Sequence, residues 1–331
     1  MQLIKAFKHQ FGKNSKNADK RMWRYMAVKV VGGIAVALIL MGLSYIILYP
    51  LIYSVAQAIR TGADMYDTTI IYIPKHFTLE NFSKAWTAMN FEAAFANTFH
   101  ISFWPTIMQV CTCALAGYGL ARFKFKGKGI LFFLVVLTII IPPSTIQISQ
   151  YVSFRYFDPV WLASAAHAFE WIEEPYFDLT DSLWSFILPA LFGAGLKSGL
   201  FVFVYRQFFS GFPKELEEAA YIDGCGAMKT FLRILVPNTT PAFITVFLFC
   251  ITWYWNDYYT VPLFLPNADT LPSVLDGLYK SMQTTFTGED VITLYPVLRA
   301  GILLYIAPLL TVFLLFQKKF TESIARSGIV G

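Results

Sequence analysis

The chain has 331 residues, of which 56% are hydrophobic and only 14% charged, with a net charge of +5. Soluble globular domains carry roughly a quarter charged residues, so this deficit, joined to long apolar stretches, excludes an ordinary soluble protein. The basic residues are also not interleaved with aromatics as a nucleic-acid groove would need, so we expect no nucleic-acid partner.

Six apolar stretches are long enough to be membrane-spanning helices, because about twenty residues rising about 1.5 Å each cross the bilayer core. In chain order they cover residues 30–58, 95–121, 129–154, 183–205, 236–265 and 300–317. Lys197 in the fourth stretch and Asp257 in the fifth are their only charged residues. The sequence therefore predicts an all-α integral membrane protein with six transmembrane helices in a permease domain over 30–320.

Lysine and arginine cluster on one side of this predicted bundle. Residues 1–29 carry eight of them against one acid, and residues 122–128 carry four with no acid. By contrast, residues 155–182 carry six acids and one arginine. Because positive loops mark the cytoplasmic side, we expect a cytoplasmic basic N-terminus and a cytoplasmic tail over 321–331.

Two segments then fall outside the cell. Residues 60–94 are predicted to contain a helix that is entered near Thr78, with Glu80 in its first turn. The segment 151–182 is predicted to hold a short amphipathic helix at the membrane interface.

The loop over residues 211–237, between the fourth and fifth stretches, predicts a short helix, a turn and a second short helix. Pro213 suits a first helical position, and the glutamates that follow it favour the positive end of the helix dipole. Gly224 predicts the stop, and the second helix is expected over about 227–234, with Pro237 at its end. Small side chains at Ala219 and Ala220 would let another protein approach closely.

This loop resembles the E-A-A signature of ABC importer permeases. The resemblance rests on Glu218-Ala219-Ala220, Asp223-Gly224, Phe231, Ile234 and Pro237. It implies that the loop forms coupling helices which dock into a cytoplasmic ATPase, so that closure of the ATPase dimer rocks the permease. The residues to which it assigns this role are Glu218, Ala219, Ala220, Asp223, Gly224, Phe231 and Pro237. Cys225-Gly226 departs from the usual alanine and variable residue of the signature.

Further blocks resemble the carbohydrate branch of the same family, in particular the G-type half of maltose-type systems. They lie at residues 116–127 (AGYGLARFKFKG), 203–209 (FVYRQFF), 255–265, 317–320 and 328–331. The resemblance implies a type I importer permease fold in a bacterial cell membrane, carrying a sugar or oligosaccharide. The implied partners are a second, different permease, two ATP-binding-cassette subunits, an external solute-binding protein and membrane lipid.

No catalytic, metal or cofactor site is predicted in the chain itself. Gly127-Lys128 is followed by glycine rather than serine or threonine, so the phosphate-binding loop of ATPases is missing. ATP and magnesium are therefore expected on the partner subunits, and the four histidines show no metal-ligand spacing.

Charged and aromatic residues inside the predicted spans are candidates for the cargo pathway, because a charge at bilayer depth must face a cavity or a partner. The candidates are Lys197, Trp253, Trp255, Asn256, Asp257 and Tyr258. Aromatic faces stack on sugar rings, and amides and carboxylates bind hydroxyl groups. Alternatively, Lys197 forms a structural ion pair, and the aromatics form an interfacial belt.

Three rival functions stay open at this point. An importer of the same architecture could carry a peptide, a phosphonate or another solute. An ion-coupled secondary transporter would need repeated halves with paired broken helices, which the sequence does not show. A non-transporting scaffold would leave the loop 211–237, Lys197 and Asp257 without a purpose.

Overall fold

The structure is a computed structural model that describes residues 15–327 except 71, 160–161, 170–172 and 289. Residues 1–14 of the predicted basic N-terminus precede this range, and the closing block 328–331 follows it, so these two segments lie outside the described residues. Every regular element in the described part is helical, which confirms the all-α prediction. The helices are α1 (Ser15–Ala58), α2 (Glu80–Ala88), α3 (Phe91–Arg122), α4 (Lys128–Ile140), α5 (Ser144–Arg155), α6 (Leu162–Ala168), α7 (Trp184–Leu191), α8 (Ser198–Gly211), α9 (Lys214–Ile222), α10 (Ala227–Thr230), α11 (Val236–Asn238), α12 (Thr240–Trp255), α13 (Thr260–Phe264), α14 (Leu271–Asp276), α15 (Leu278–Thr285) and α16 (Val291–Ser327).

Three described helices are long and apolar enough to cross a membrane unbroken. They are Trp23–Ala58 within α1, the whole of α3, and Val291–Lys318 within α16. Two bent pairs qualify if each is taken as one span, namely α4 with α5, bent by 104°, and Ala227–Asn238 with α12, bent by 80°. The predicted fourth stretch is the one that this criterion does not find.

The bend between α4 and α5 lies at the proline pair. Ile141, which precedes Pro142, has an extended backbone, with ψ at 122°. A residue before proline is pushed out of the helical region by contact with the proline ring, so α4 ends there. The predicted third span is therefore two helices joined at a sharp corner.

The expectation of an unbroken fourth helix over 183–205 is wrong. Helices α7 and α8 are separated by residues 192–197, and both Gly193 and Lys197 have positive φ, at 68° and 59°. Lys197 therefore lies in the break at the start of α8, and not inside a helix as the sequence suggested.

The main apolar core packs α3 against α8 and α12. Gly117 permits close approach there, since an added Cβ would lie 2.6 Å from Cβ of Tyr205. A second core joins α2 and the start of α3 to α14, α15 and α16, around Met89, Leu278 and Leu294.

Candidate functional site

Helix α9 begins directly after Pro213 and ends in a glycine-dependent turn. The amide of Cys225 donates to the carbonyl of Ala220 at 2.9 Å, and that of Gly224 to the carbonyl of Tyr221 at 3.0 Å. These two bonds make a Schellman turn, which needs the left-handed backbone that Gly224 supplies with φ at 78°. The predicted stop is therefore where the chain reverses.

Helix α9, its turn and the helical arm that follows it, residues 214–238, form a helical elbow whose outward surface exposes both charged and apolar side chains. Glu218 and Ala219 face outward. They share that surface with large exposed apolar side chains from both arms of the elbow, at Leu216, Tyr221, Ile222, Met228 and Leu232. Ile222 is 87% exposed, an unusual state for a side chain whose burial is worth about 1.5–3 kcal/mol.

The inner face holds two residues of the E-A-A signature. Ala220 is buried, so the predicted alanine-lined face is split, with Ala219 outside and Ala220 inside. The buried Phe231 ring lies 4.9 Å from the ring of Tyr118 on α3 and 5.9 Å from that of Phe209 on α8. These two residues therefore fix the elbow to the bundle.

The second arm of the elbow runs further than predicted. It continues from α10 through a π-helical turn, Phe231–Leu235, into α11. Pro237 lies exposed in α11, just before the 80° bend into α12. Asp223 caps α9 and is exposed.

One functional feature of the elbow was missed by sequence reasoning. Arg122, the last residue of α3, forms an ion pair with Glu217, with Nε and Oε1 2.6 Å apart. Arg122 also donates through Nη2 to the carbonyl of Phe212 at 2.6 Å. The two side chains are only 6% and 7% exposed. In the sequence, Glu217 is merely one of several acids early in a helix, and nothing marks it as the one that faces inward.

The burial of Glu217 has an electrostatic consequence. Burial raises the pKa of its carboxyl above the ordinary value, while the charges of Arg122 and Lys214 oppose that rise. Removing a carboxylate from water is costly, and a paired arginine offsets that cost.

A cleft of about 540 Å³ lies among α4, α5, α7, α8 and the end of α12. Both helix breaks face it, through Pro143 at one corner and residues 193–197 at the other. Three of the six predicted pathway residues line it, namely Lys197, Trp253 and Asp257. The volume lies within the range of small-molecule sites.

A polar network holds the broken segment beside this cleft. Gln109 donates through Nε2 to the carbonyl of Leu196 at 2.6 Å, and the hydroxyl of Tyr254 donates to Oε1 of Gln109 at 2.7 Å. The same hydroxyl accepts from the amide of Leu196 at 3.1 Å. Backbone freed from a helix at membrane depth needs such partners, so this network makes the break tolerable.

Asp257 has one carboxylate oxygen engaged and one unpartnered. Oδ1 accepts from the amides of Thr260 and Tyr259 at 2.8 and 3.1 Å, which caps the start of α13. Oδ2 is buried and has no hydrogen-bond partner among the described residues. Lys197 is exposed at the cleft. The cleft is thus lined by the acidic residue Asp257, the ammonium group of Lys197 and the indole of Trp253.

The other three pathway candidates lie outside the cleft. Trp255 is buried in the second core, 6.0 Å from the ring of Phe95. Asn256 accepts from the hydroxyl of Tyr305, and Tyr258 donates to Oδ2 of Asp276 at 2.9 Å. The structure therefore divides the predicted cluster between two sides of α12. Over the described residues, no group of three or more histidines, cysteines or acids is placed to hold a metal.

A family model described as the binding-protein-dependent transport system inner membrane component matches residues 113–326, well over half the chain. The probable ABC transporter permease protein YurM of Bacillus subtilis (strain 168) is 28% identical over 287 residues, covering 86% of this chain and 84% of the relative. The arabinooligosaccharides transport system permease protein AraQ of Halalkalibacterium halodurans is 26% identical over 300 residues, 87% of this chain and 93% of the relative.

The fold is also similar to that of a chain in the crystal structure of a bacterial ABC transporter involved in the import of the acidic polysaccharide alginate. The TM-score is 0.65 at 18% identity, covering 89% of this chain and 98% of that chain. This likeness confirms the predicted type I importer permease fold.

Proposed function

The chain belongs to the family of binding-protein-dependent transport system inner membrane components, and we propose that it forms half of the pathway through which an ATP-driven importer moves a sugar or oligosaccharide. The observation that carries this proposal is the exposed elbow built on the E-A-A signature, with five large apolar side chains at its surface. Relatives named for arabinooligosaccharide transport and a neighbour named for alginate import support a carbohydrate as the cargo.

The elbow is the proposed docking site for the cytoplasmic ATPase. Its exposed apolar side chains would lose contact with water on docking, which favours association. Glu218, Ala219 and Asp223 face outward, where they can contact the ATPase. Ala220, Gly224, Phe231 and Pro237 instead shape the elbow from within or at its turns.

The cleft is proposed to form part of the pathway through which the cargo moves. Trp253 offers a flat face to a sugar ring, while the free oxygen of Asp257 and the ammonium of Lys197 offer hydrogen bonds to hydroxyl groups. We assign the pathway role to these three residues, since Trp255, Asn256 and Tyr258 are engaged elsewhere in the chain.

The partners follow from the same proposal. A second permease would complete the pathway, two ATP-binding-cassette subunits would bind ATP and magnesium, and a solute-binding protein would deliver the cargo from outside. The elbow and both termini would then lie in the cytoplasm of a bacterial cell, and this chain would carry out no catalysis.

Two substitutions in the elbow test the coupling step. Gly224→Trp strains a left-handed turn, and Glu218→Lys reverses an exposed charge, so both should disturb docking without disturbing membrane insertion. ATPase activity is measured in the reconstituted importer, with its binding protein loaded with raffinose, maltotriose or arabinotriose. We expect stimulation by the loaded binding protein to disappear in both variants.

The same assay includes a control variant and has an outcome that would contradict the coupling role. Lys229→Ala, an exposed change in the second arm, should retain normal stimulation. Undiminished stimulation in Gly224→Trp and Glu218→Lys would contradict the coupling role. A binding protein that takes a peptide or a phosphonate, and none of the sugars, would keep the architecture but change the cargo.

A further inference from the structure

The inner face of α9 is small. Of its nine residues, only Glu217 and Ala220 are buried. Ala220 contributes a single methyl group, so Glu217 is the one buried polar side chain through which α9 meets the bundle. That residue meets Arg122 at the end of α3, and Arg122 also holds the carbonyl of Phe212 at the entrance to the loop.

Helix α3 is a stiff base for this attachment. It packs on α8 at Gly117, where the two helices approach too closely for any side chain, and it contributes Tyr118 to the aromatic cluster under the elbow. Arg122 therefore connects the loop to the most tightly packed part of the bundle. A loop attached to the bundle only at its two chain ends would bend when a docked protein moved it. The movement would then not reach the bundle.

We propose that Arg122 and Glu217 are a positioning pair, which holds α9 against the end of α3 so that movement of a docked ATPase is transmitted to the bundle. This proposal rests on the proposed function, because it assumes that α9 is where the ATPase docks. Glu217 has a different task from its neighbour Glu218, which faces outward and is free to contact the partner.

A double-mutant cycle separates this role from simple stability. Glu217→Leu or Arg122→Met leaves one buried charge uncompensated, whereas the double variant removes both charges and keeps an apolar contact. Each variant is prepared in the complete importer and compared with Glu215→Gln, the matched exposed control on the same helix. Hydrogen exchange of the α9 amides reports rigidity, and the number of sugar molecules imported per ATP hydrolysed reports coupling.

We expect both single variants to assemble with the ATPase and to hydrolyse ATP. Their α9 amides should exchange about tenfold faster or more, and the sugar-to-ATP ratio should fall severalfold. The double variant should recover most of both losses, and Glu215→Gln should match the wild type in both exchange rate and ratio. A purely structural role would lower the amount of complex but leave the ratio unchanged.

Two outcomes would overturn the proposal. The first is that the single variants keep the wild-type exchange rate and sugar-to-ATP ratio while Glu218→Lys still abolishes stimulation. The ATPase would then still dock on the elbow, but Arg122 and Glu217 would not position it. The other is a double variant as impaired as the singles, since charge imbalance would then not be the cause. If Glu218→Lys also has no effect, the failure lies with the proposed function itself.

Discussion

The elbow and the cleft both contain charged residues, but the two regions differ in whether those charges contact an opposite charge within the chain. In the elbow, the carboxylate of Glu217 is buried and meets Arg122 at 2.6 Å. In the cleft, Oδ2 of Asp257 is buried and unpartnered within the described structure, and Lys197 lies open to the cavity. A charge that contacts an opposite charge inside the chain stabilises a shape, whereas a charge that has no such contact beside a cavity can be paired by a molecule that enters the cavity.

The same contrast applies to the backbone. The elbow closes its helix with a local Schellman turn, formed by residues next to each other in sequence. The broken segment 192–197 is instead held by Gln109 and Tyr254, which lie far from it along the chain. Local bonds shape the turn of the elbow, while the broken segment beside the cleft depends on the packing of α3, α8 and α12.

The first prediction tests the helix pair that supports both regions. Gly117→Ala places a methyl group 2.6 Å from Cβ of Tyr205, so α3 and α8 must move apart. We expect a loss of about 1–3 kcal/mol, typical of overpacking, even though alanine favours a helix. The measurement is the apparent melting temperature of the importer in detergent. Unfolding is detected by a dye that reacts with the thiols of Cys113 and Cys250 once they lose their burial.

Gly119→Ala is the matched control on the same helix. Its added methyl would meet nothing nearer than Phe123 at 4.0 Å, so only the gain in helix propensity of up to about 1 kcal/mol should appear. Equal stabilisation by the two alanines would show that α3 and α8 do not pack as closely as described.

The second prediction concerns the network beside the cleft. Tyr254→Phe removes a hydroxyl that donates to Gln109 and accepts from the amide of Leu196. We expect a loss of about 1–2 kcal/mol and faster hydrogen exchange at the Leu196 amide, because a buried donor then lacks its partner. Tyr295→Phe, on an exposed side chain, is the control and should change neither quantity. If Tyr254→Phe is equally silent, the break does not depend on this network.

The parts that could be predicted from the sequence are those fixed by local chemistry. Gly224 and the run of small and acidic residues before it indicated the elbow. The long apolar stretches indicated membrane helices because a helix of about twenty apolar residues is more stable in the lipid bilayer than in water.

The parts that could not be predicted depend on residues distant in sequence. Glu217 and Glu218 are chemically identical neighbours, and only the position of Arg122 decides which one is buried. The break in the predicted fourth span is stabilised by Gln109 and Tyr254, so an apolar sequence that suggests a continuous helix does not form one. Trp255 and Asp257 are two residues apart, yet Trp255 packs in the second core and Asp257 lines the cleft, because α12 ends between them.

The last and smallest expected effect on stability comes from making one chemical change in both regions. Asp257→Asn keeps an Oδ1 acceptor for the amides of Thr260 and Tyr259, so the cap of α13 remains and stability should change by less than about 0.5 kcal/mol. What is lost is the charge on the free oxygen, so the KM for sugar uptake should rise roughly tenfold if that oxygen binds a hydroxyl group of the cargo. Asp257→Ala, which also removes the cap, should cost about 1 kcal/mol more.

Comparison with Glu217→Gln then completes the contrast. The same change from carboxylate to amide should loosen α9 at position 217 and leave KM unaltered, because that carboxylate contacts Arg122 and not the cargo. At position 257 it should alter uptake and leave the fold unaltered. Sugar uptake and thermal melting are measured side by side for Glu217→Gln and Asp257→Asn. If both variants changed only uptake, or both changed only the melting temperature, the two carboxylates would have the same role and the contrast between the elbow and the cleft would be rejected.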